Sequence, residues 1–326
     1  MELTREKILN SFSVYKGKIF LALKFIIAAG LLSYIISSIE LPEIIKALQD
    51  ADYLLIFSAF ILVVPNIYLQ YFKWKLTCKS ILNVDDKEKI FFSLFQGFAA
   101  GAFTPFRVGE YFGRAFLFKD KTLVQITIAT LVDKIFPLII LAFAGSISGL
   151  AFIYYFYDVS FYIAVSLLVV ISILFYLVIH LLIDPDFWNN FLFNKIRNSQ
   201  RLYKYLGRLR FLKHLEKNYS AKMFFISFLF YFCFLFQFII LVAAFSNEIN
   251  FSDYLWGAVL VMFAKTFFPA ISFGELGVRE GVSVFFLGQF GVAAAAAFNA
   301  SFFLFFINIL VPSLFGLIFL FKKNNA

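Results

Sequence analysis

The sequence predicts an all-α, polytopic helical membrane protein built from two inverted-topology repeats, each with a re-entrant helical hairpin. Three observations carry that prediction. Hydrophobic residues make up 62% of the 326-residue chain and charged residues only 15%, more apolar side chain than a soluble domain can bury. The apolar runs persist for roughly twenty residues, without the alternation of a membrane barrel's roughly ten-residue strands, so the spans are helices. Two further apolar runs are too short to cross, and each leads into the same polar outline. These are Phe103-Thr-Pro-Phe-Arg-Val-Gly-Glu-Tyr-Phe-Gly-Arg114 and Phe268-Pro-Ala-Ile-Ser-Phe-Gly-Glu-Leu-Gly-Val-Arg-Glu-Gly281.

Taken in order, Arg5, Lys7, Lys16 and Lys18 precede the first apolar run, Ile19 to Ile39, and the Lys/Arg bias places the N-terminus in the cytoplasm. The polar, basic start does not read as a cleavable signal, which predicts a resident of the plasma or inner membrane. The connection from Glu40 to Asp52 holds Lys46 as its only cation and belongs outside. The run from Ala51 to Phe72 returns inward to Lys73-Trp74-Lys75, which reads as an aromatic and basic anchor at headgroup level. Ile90 to Phe103 reaches only roughly 20 Å against a hydrocarbon core of about 30 Å. Lys79, Lys87 and Lys89 before it, and Arg107, Arg114, Lys119 and Lys121 after it, make it a hairpin (about 90–121) entering from the cytoplasm. Leu123 to about Phe152 then crosses outward, and a turn at Asp158 closes a first repeat, 1–158.

The second repeat, 159–326, starts with the inward run Phe161 to Ile183. Residues about 184–222 are rich in Lys and Arg interleaved with aromatics, as expected of an amphipathic helix on the inner leaflet. Met223 to Phe245 crosses outward; the short run Tyr254 to Phe268 and the stub Val282 to Gln289 form a hairpin (about 254–290) entering from outside. Val292 to Phe321 is the last span, and Lys322 and Lys323 place the C-terminus in the cytoplasm. The parity requires six spans and two hairpins, with the halves upside down relative to each other, a plan that brings broken helices to the midplane.

Two cysteines and two histidines without metal-ligand spacing supply no zinc or haem site, and neither metal nor cofactor is expected. The net charge of +9 lies in the connections, which fits anionic lipid rather than nucleic acid.

The candidate site is polar chemistry set in grease. Glu110 and Arg114 lie four apart and share one helical face if helix starts near Gly109. A simple ion pair that orients a helix is the competing reading. Its repetition as Glu275 and Arg279, followed by Glu280, favours a binding role, and arginine's planar fork suits phosphate oxygens. Pro105, Gly109, Pro269, Gly274 and Gly277 supply hinges. Asp133 and Lys134 lie inside a span and need partners or water; they serve either as counter-charges or proton-coupling groups, or as a buried pair fixing packing. Lys265 snorkels from its hairpin, Asp184-Pro-Asp186 reads as a loop with a helix cap, and Ala293 to Ala297 as close helix packing.

These stretches resemble the lysylphosphatidylglycerol synthase transmembrane region, or flippase-like (UPF0104), family. Tyr71-Phe-Lys-Trp-Lys-Leu is similar to its basic-Trp end of an early span. Gln96-Gly97 through Thr104-Pro105-x-Arg107-x-Gly109-Glu110 to Arg114 resembles its Pro-x-x-x-Gly-Glu-x-x-x-Arg segment, and Pro269, Gly274, Gly277, Val278 and Glu280 its late Pro…Gly-x-Gly-Val-x-Glu segment. Two departures stand out: Asp133-Lys134 where the family usually has an acidic-Arg pair, and no arginine from Phe302 to Asn308 in the last span. The resemblance implies a flippase-like protein that translocates a phospholipid or lipid-linked head group. In that reading Arg107, Arg114 and Arg279 hold a phosphate, and Glu110, Glu275 and Glu280 order them or bind a cationic head group. The expected partners are anionic or phosphate-bearing membrane lipids, with a separately encoded lipid-synthesising enzyme in place of the transferase domain some relatives carry. No nucleotide-binding loop is present, so gradients, membrane potential or lipid distribution would drive exchange. The alternatives are an intramembrane enzyme on lipid phosphate or a polyprenyl-linked sugar, with Glu110 or Asp133 as general base, and a non-transporting scaffold subunit.

Overall fold

The computed structural model describes residues 26, 29–30, 32–104, 107–183, 217–267 and 276–323, and these are helical with short connections and no strand. Five stretches are long and apolar enough to cross a membrane: Tyr53–Leu82, Leu123–Phe156, Phe161–Leu182, Asn218–Ser246 and Ala294–Phe319. The expected first span lies mostly outside the described residues. Its helical end, 32–39, buries Ile35 and Ile39 against Ile44, Ala295 and Phe298.

The helices are α1 (Leu41–Gln49), α2 (Tyr53–Ile61), α3 (Val63–Thr77), α4 (Lys87–Phe103), α5 (Gly109–Ala115), α6 (Leu123–Phe156), α7 (Phe161–Ile183), α8 (Lys217–Ser246), α9 (Phe251–Ala264), α10 (Val278–Gln289), α11 (Ala294–Phe305) and α12 (Val311–Lys323). Side-chain caps fix several starts. The Asp52 carboxylate accepts from the N–H groups of Leu54 and Leu55, Asp86 does so for Glu88 and Lys89, and Thr122 with Gln125 forms a capping box. Asn83 and Asn247 end their helices in the left-handed conformation that asparagine tolerates.

Several boundaries differ from the sequence reading. The second span runs past Phe72 through α3 and a π turn, Cys78–Leu82. Lys73 and Trp74 therefore face the protein interior, 5% and 0% exposed, and do not form a lipid-facing anchor. The connection between residues 40 and 52 contains α1, whose Leu41, Ile44, Ile45 and Leu48 fall at helical spacing opposite Glu43 and Lys46. Helix α8 starts at Lys217, with Tyr219 and Ser220 already buried, so the last residues of the expected amphipathic segment belong to this span; residues 184–216 lie outside the described set. Helix α10 begins four residues before the expected stub, so Arg279 and Glu280 sit in its first turn.

Packing is reciprocal between the halves. In the hairpin α4–α5, the first arm lies on α12 of the other half and the second arm on α6 of its own. In the pair α9–α10, the first arm lies on α6 of the other half and the second on α11 of its own. Small residues permit the cross-half approaches. A Cβ on Gly316 of α12 would strike the Phe95 carbonyl of α4, and one on Gly145 of α6 would strike the Phe263 ring of α9. Ser313 of α12 also donates to the Phe98 carbonyl at 3.2 Å, and the Trp256 indole of α9 donates to the Ser148 carbonyl at 3.1 Å.

Candidate functional site

The hairpin α4–α5 is held backbone to backbone. Cβ atoms on Gly109 and Gly113 would strike the carbonyls of Ala100 and Gln96, so only glycine allows the two arms to lie this close. Thr104 closes the tip: its hydroxyl donates to the Ala100 carbonyl at 2.9 Å and accepts from the Gly109 N–H at 2.6 Å. Arg107 takes a left-handed φ of 54° next to this turn, a conformation that a long side chain adopts only when its surroundings impose it.

This geometry delivers a six-residue charge cluster. Arg114 donates from Nη2 to Glu110 Oε1 at 2.7 Å and from Nη1 to Asp133 Oδ2 at 3.1 Å. Lys134 Nζ stands 2.5 Å from Glu110 Oε2, and Arg107 Nη2 lies 3.5 Å from the same oxygen. Lys73, from α3, donates to the Asp133 backbone carbonyl at 3.0 Å and lies 3.5 Å from Asp133 Oδ1. Trp74 floors the cluster, with the Arg114 guanidinium 4.2 Å from its ring centroid and its indole N–H donating to Ser93 at 2.9 Å.

Among the described residues, four cations thus share two carboxylates, leaving an excess of two positive charges when all six are ionised. Burial decides what that excess means. Lys73, Glu110, Arg114 and Asp133 are withdrawn from solvent, and charges in a low-dielectric interior must be matched closely. Arg107 and Lys134 keep side-chain exposures of 28% and 35%, so the unmatched charge is reachable from outside the cluster. Arg107 lines a cavity of about 260 Å³ that also takes Lys265 from beyond α9, Gln70 from α3 and Asn308 from the π turn Phe306–Leu310. Both charged groups lining it, among the described residues, are cations.

The second motif is arranged differently. Arg279 and Glu280 are fully buried, with Nη2 to Oε1 at 3.0 Å. Arg279 Nε donates to the Ser301 hydroxyl at 3.1 Å, and Ser301 in turn donates to Glu280 at 3.4 Å. The other Glu280 oxygen accepts from the Gly277 N–H at 2.6 Å, where Gly277 turns at φ 87°. Ser301 stands on the last span of its half as Asp133 does on α6. Here, among the described residues, one cation meets one carboxylate, so the group is balanced as well as sealed.

Of the residues singled out in the sequence, Arg107, Glu110, Arg114, Asp133 and Lys134 come together. Arg279 and Glu280 form their own group, and no ion pair among the described residues joins the two. Pro105, Pro269, Gly274 and Glu275 lie outside the described residues. Lys73 and Trp74 were missed as site residues. Asn66, Gln70, Lys73 and Thr77 recur at three- and four-residue spacing, a polar stripe on an apolar helix that marks an inward face.

Fold and site together define a multi-pass α-helical membrane protein with a charged cluster held at a helical hairpin. The chain belongs to the family described as the lysylphosphatidylglycerol synthase TM region, whose model matches residues 21–316. No curated protein matches the chain closely enough to be counted a relative.

Proposed function

We propose that this protein moves a phosphate-bearing lipid, or a polar head group linked to a lipid, between the leaflets of the cell membrane. The observation that carries the reading is the buried cluster of four cations on two carboxylates, open through Arg107 to a cavity with a further cation, Lys265. An excess of positive charge in a low-dielectric site is stabilised by an anion, and arginine's fork matches phosphate geometry. Arg107 and Lys265 then face the ligand in the cavity, while Glu110, Arg114, Asp133 and Lys134 hold Arg107 in place. The balanced Arg279–Glu280 pair ties α10 to α11 instead of contacting phosphate.

Reciprocal packing supports two repeats, 1–158 and 159–326, and charge parity between the connections supports their inversion, with both termini cytoplasmic. On this reading α4–α5 and α9–α10 are re-entrant hairpins whose tips meet at the cavity, and exchange occurs as the halves rock about it. An intramembrane enzyme with Glu110 or Asp133 as base draws less support, since each carboxylate already holds at least two cations. The scaffold alternative, a partner to a separate lipid-synthesising enzyme, predicts no exchange by the purified protein.

The deciding experiment is leaflet-resolved labelling of fluorescent phospholipids in proteoliposomes. Wild-type protein should exchange lipid, and Arg107→Gln with Lys265→Gln should slow exchange at least roughly tenfold if each loses a charge-assisted phosphate contact. Equal rates in both would sink the reading.

A further inference from the structure

The geometry points to a diacyl lipid bound as a whole molecule, with its phosphate between Arg107 and Lys265, its ester region at Tyr231 and one chain in a groove among α6, α7, α8 and α9. This deepens the translocation reading and rests on it for purpose. The groove has a volume of about 440 Å³ and is lined by Phe143, Ile179, Phe228, Leu255 and Trp256 among others, within the roughly 300–1,000 Å³ of small-molecule pockets. Tyr231 lines both this groove and the cationic cavity. Tyr231 is 7% exposed, and its hydroxyl has no hydrogen-bond partner among the described residues.

A buried hydroxyl left without a partner is costly, and native structures seldom keep one unless something else satisfies it. An ester carbonyl would do so. The order across the site is then cations, a lone donor and an apolar trough, which is the order phosphate, ester and chain along a glycerophospholipid. A free phosphate would need only the first of these. A lipid without phosphate would need only the last. The polar side chains Gln70 and Asn308, in the same cavity as the two cations, supply further hydrogen-bonding groups for a head group.

Photolabelling in non-ionic maltoside micelles tests this without any transport step. Two probes carry the same diazirine-bearing chain, one on phosphatidylglycerol and one on diacylglycerol, and labelled peptides are mapped by mass spectrometry. The phosphatidylglycerol probe should label the segments around Phe228 and Leu255 at least roughly tenfold more than diacylglycerol, as expected for charge-assisted phosphate contacts. Arg107→Gln with Lys265→Gln should bring it down to the diacylglycerol level. Tyr231→Phe, which removes one oxygen and keeps the ring, should lower labelling several-fold while leaving the elution profile of the protein unchanged. Equal labelling by the two probes, or labelling indifferent to all three substitutions, would make the groove an ordinary lipid-facing surface and overturn the proposal. Inorganic phosphate competing as well as phosphatidylglycerol, with the groove unlabelled, would assign the cavity to free phosphate and overturn it equally. Selective labelling without exchange in proteoliposomes would remove the translocation reading and leave the site. Exchange with an unlabelled groove would do the reverse.

Discussion

Arg114 and Glu110 sit one helical turn apart on α5 with Nη2 and Oε1 separated by 2.7 Å, and neither side chain reaches solvent. The pair is embedded in a larger arrangement, since Arg114 also reaches Asp133 on α6 and Glu110 also holds Lys134. Arg114 is thereby the mechanical link between hairpin and span, and Arg107 is the end of the cluster that looks outward.

That division predicts different phenotypes for two arginines in one motif. Arg114→Gln removes the buried guanidinium that Glu110 and Asp133 share, and breaking a buried pair in this way costs about 3–5 kcal/mol. Unfolding in mixed micelles by added detergent should show a loss of that order. Arg107→Gln, at the partly exposed end, should cost under about 1 kcal/mol and yet slow lipid exchange. Comparable destabilisation by both substitutions would refute the assignment of separate roles.

Lys73 and Asp133 offer a test of the contact that crosses from α3 to α6. Asp133→Asn removes the charge facing Lys73 and Arg114, and Lys73→Met removes one of those cations. Because the residues touch, the double substitution should be less damaging than the sum of the singles, with a coupling of roughly 0.5–3 kcal/mol. Strict additivity in the same unfolding measurement would mean that the 3.5 Å approach contributes nothing.

How much of this was legible in the sequence depended on what sets each feature. Long apolar runs fix spans directly, so Phe161 to Ile183 emerges with the bounds expected of it. Glu110 and Arg114 were readable as a same-face pair because helix periodicity alone determines it. Their junction with Asp133 is set by the packing of two glycines, Gly109 and Gly113, against carbonyls of α4, and no local pattern encodes that docking. Lys73-Trp74-Lys75 misled because a basic-aromatic triplet at a span's end usually marks the headgroup layer. Here the helix continues to Leu82, and Lys73 and Trp74 face inward. Helix α1 was hidden because charge counting treats a connection as a loop, while the periodicity of Leu41, Ile44, Ile45 and Leu48 needed a separate look.

The reciprocal packing makes paired predictions for glycine substitutions. Gly316→Ala forces a methyl against the Phe95 carbonyl, a backbone atom that cannot swing aside, and Gly145→Ala forces one against the base of the Phe263 ring. Overpacking of this kind costs typically about 1–3 kcal/mol. Each change should lower the thermal midpoint of the purified protein. Gly288→Ala, at a position with open space, should not. A neutral Gly316→Ala would show that α4 and α12 do not approach as closely as the fold requires.

Inversion of the halves is the claim on which the transport reading most depends, and side-specific labelling can decide it. The hairpin α4–α5 begins and ends near Lys87 and Lys119, and the pair α9–α10 near Ile249 and Ala293, all four exposed. Cys78 is buried and Cys233 half-buried, so substituting Cys233 alone gives a quiet background for introduced thiols. An impermeant maleimide should then reach Lys87→Cys and Lys119→Cys only from the cytoplasmic face, and Ile249→Cys and Ala293→Cys only from the opposite face. The reasoning is parity: each hairpin must return to the side from which it dips, and the basic connections put the open ends of the two hairpins on different sides. Labelling of all four positions from one face would make the repeats parallel, and rocking about a shared midplane cavity would no longer expose it to each leaflet in turn.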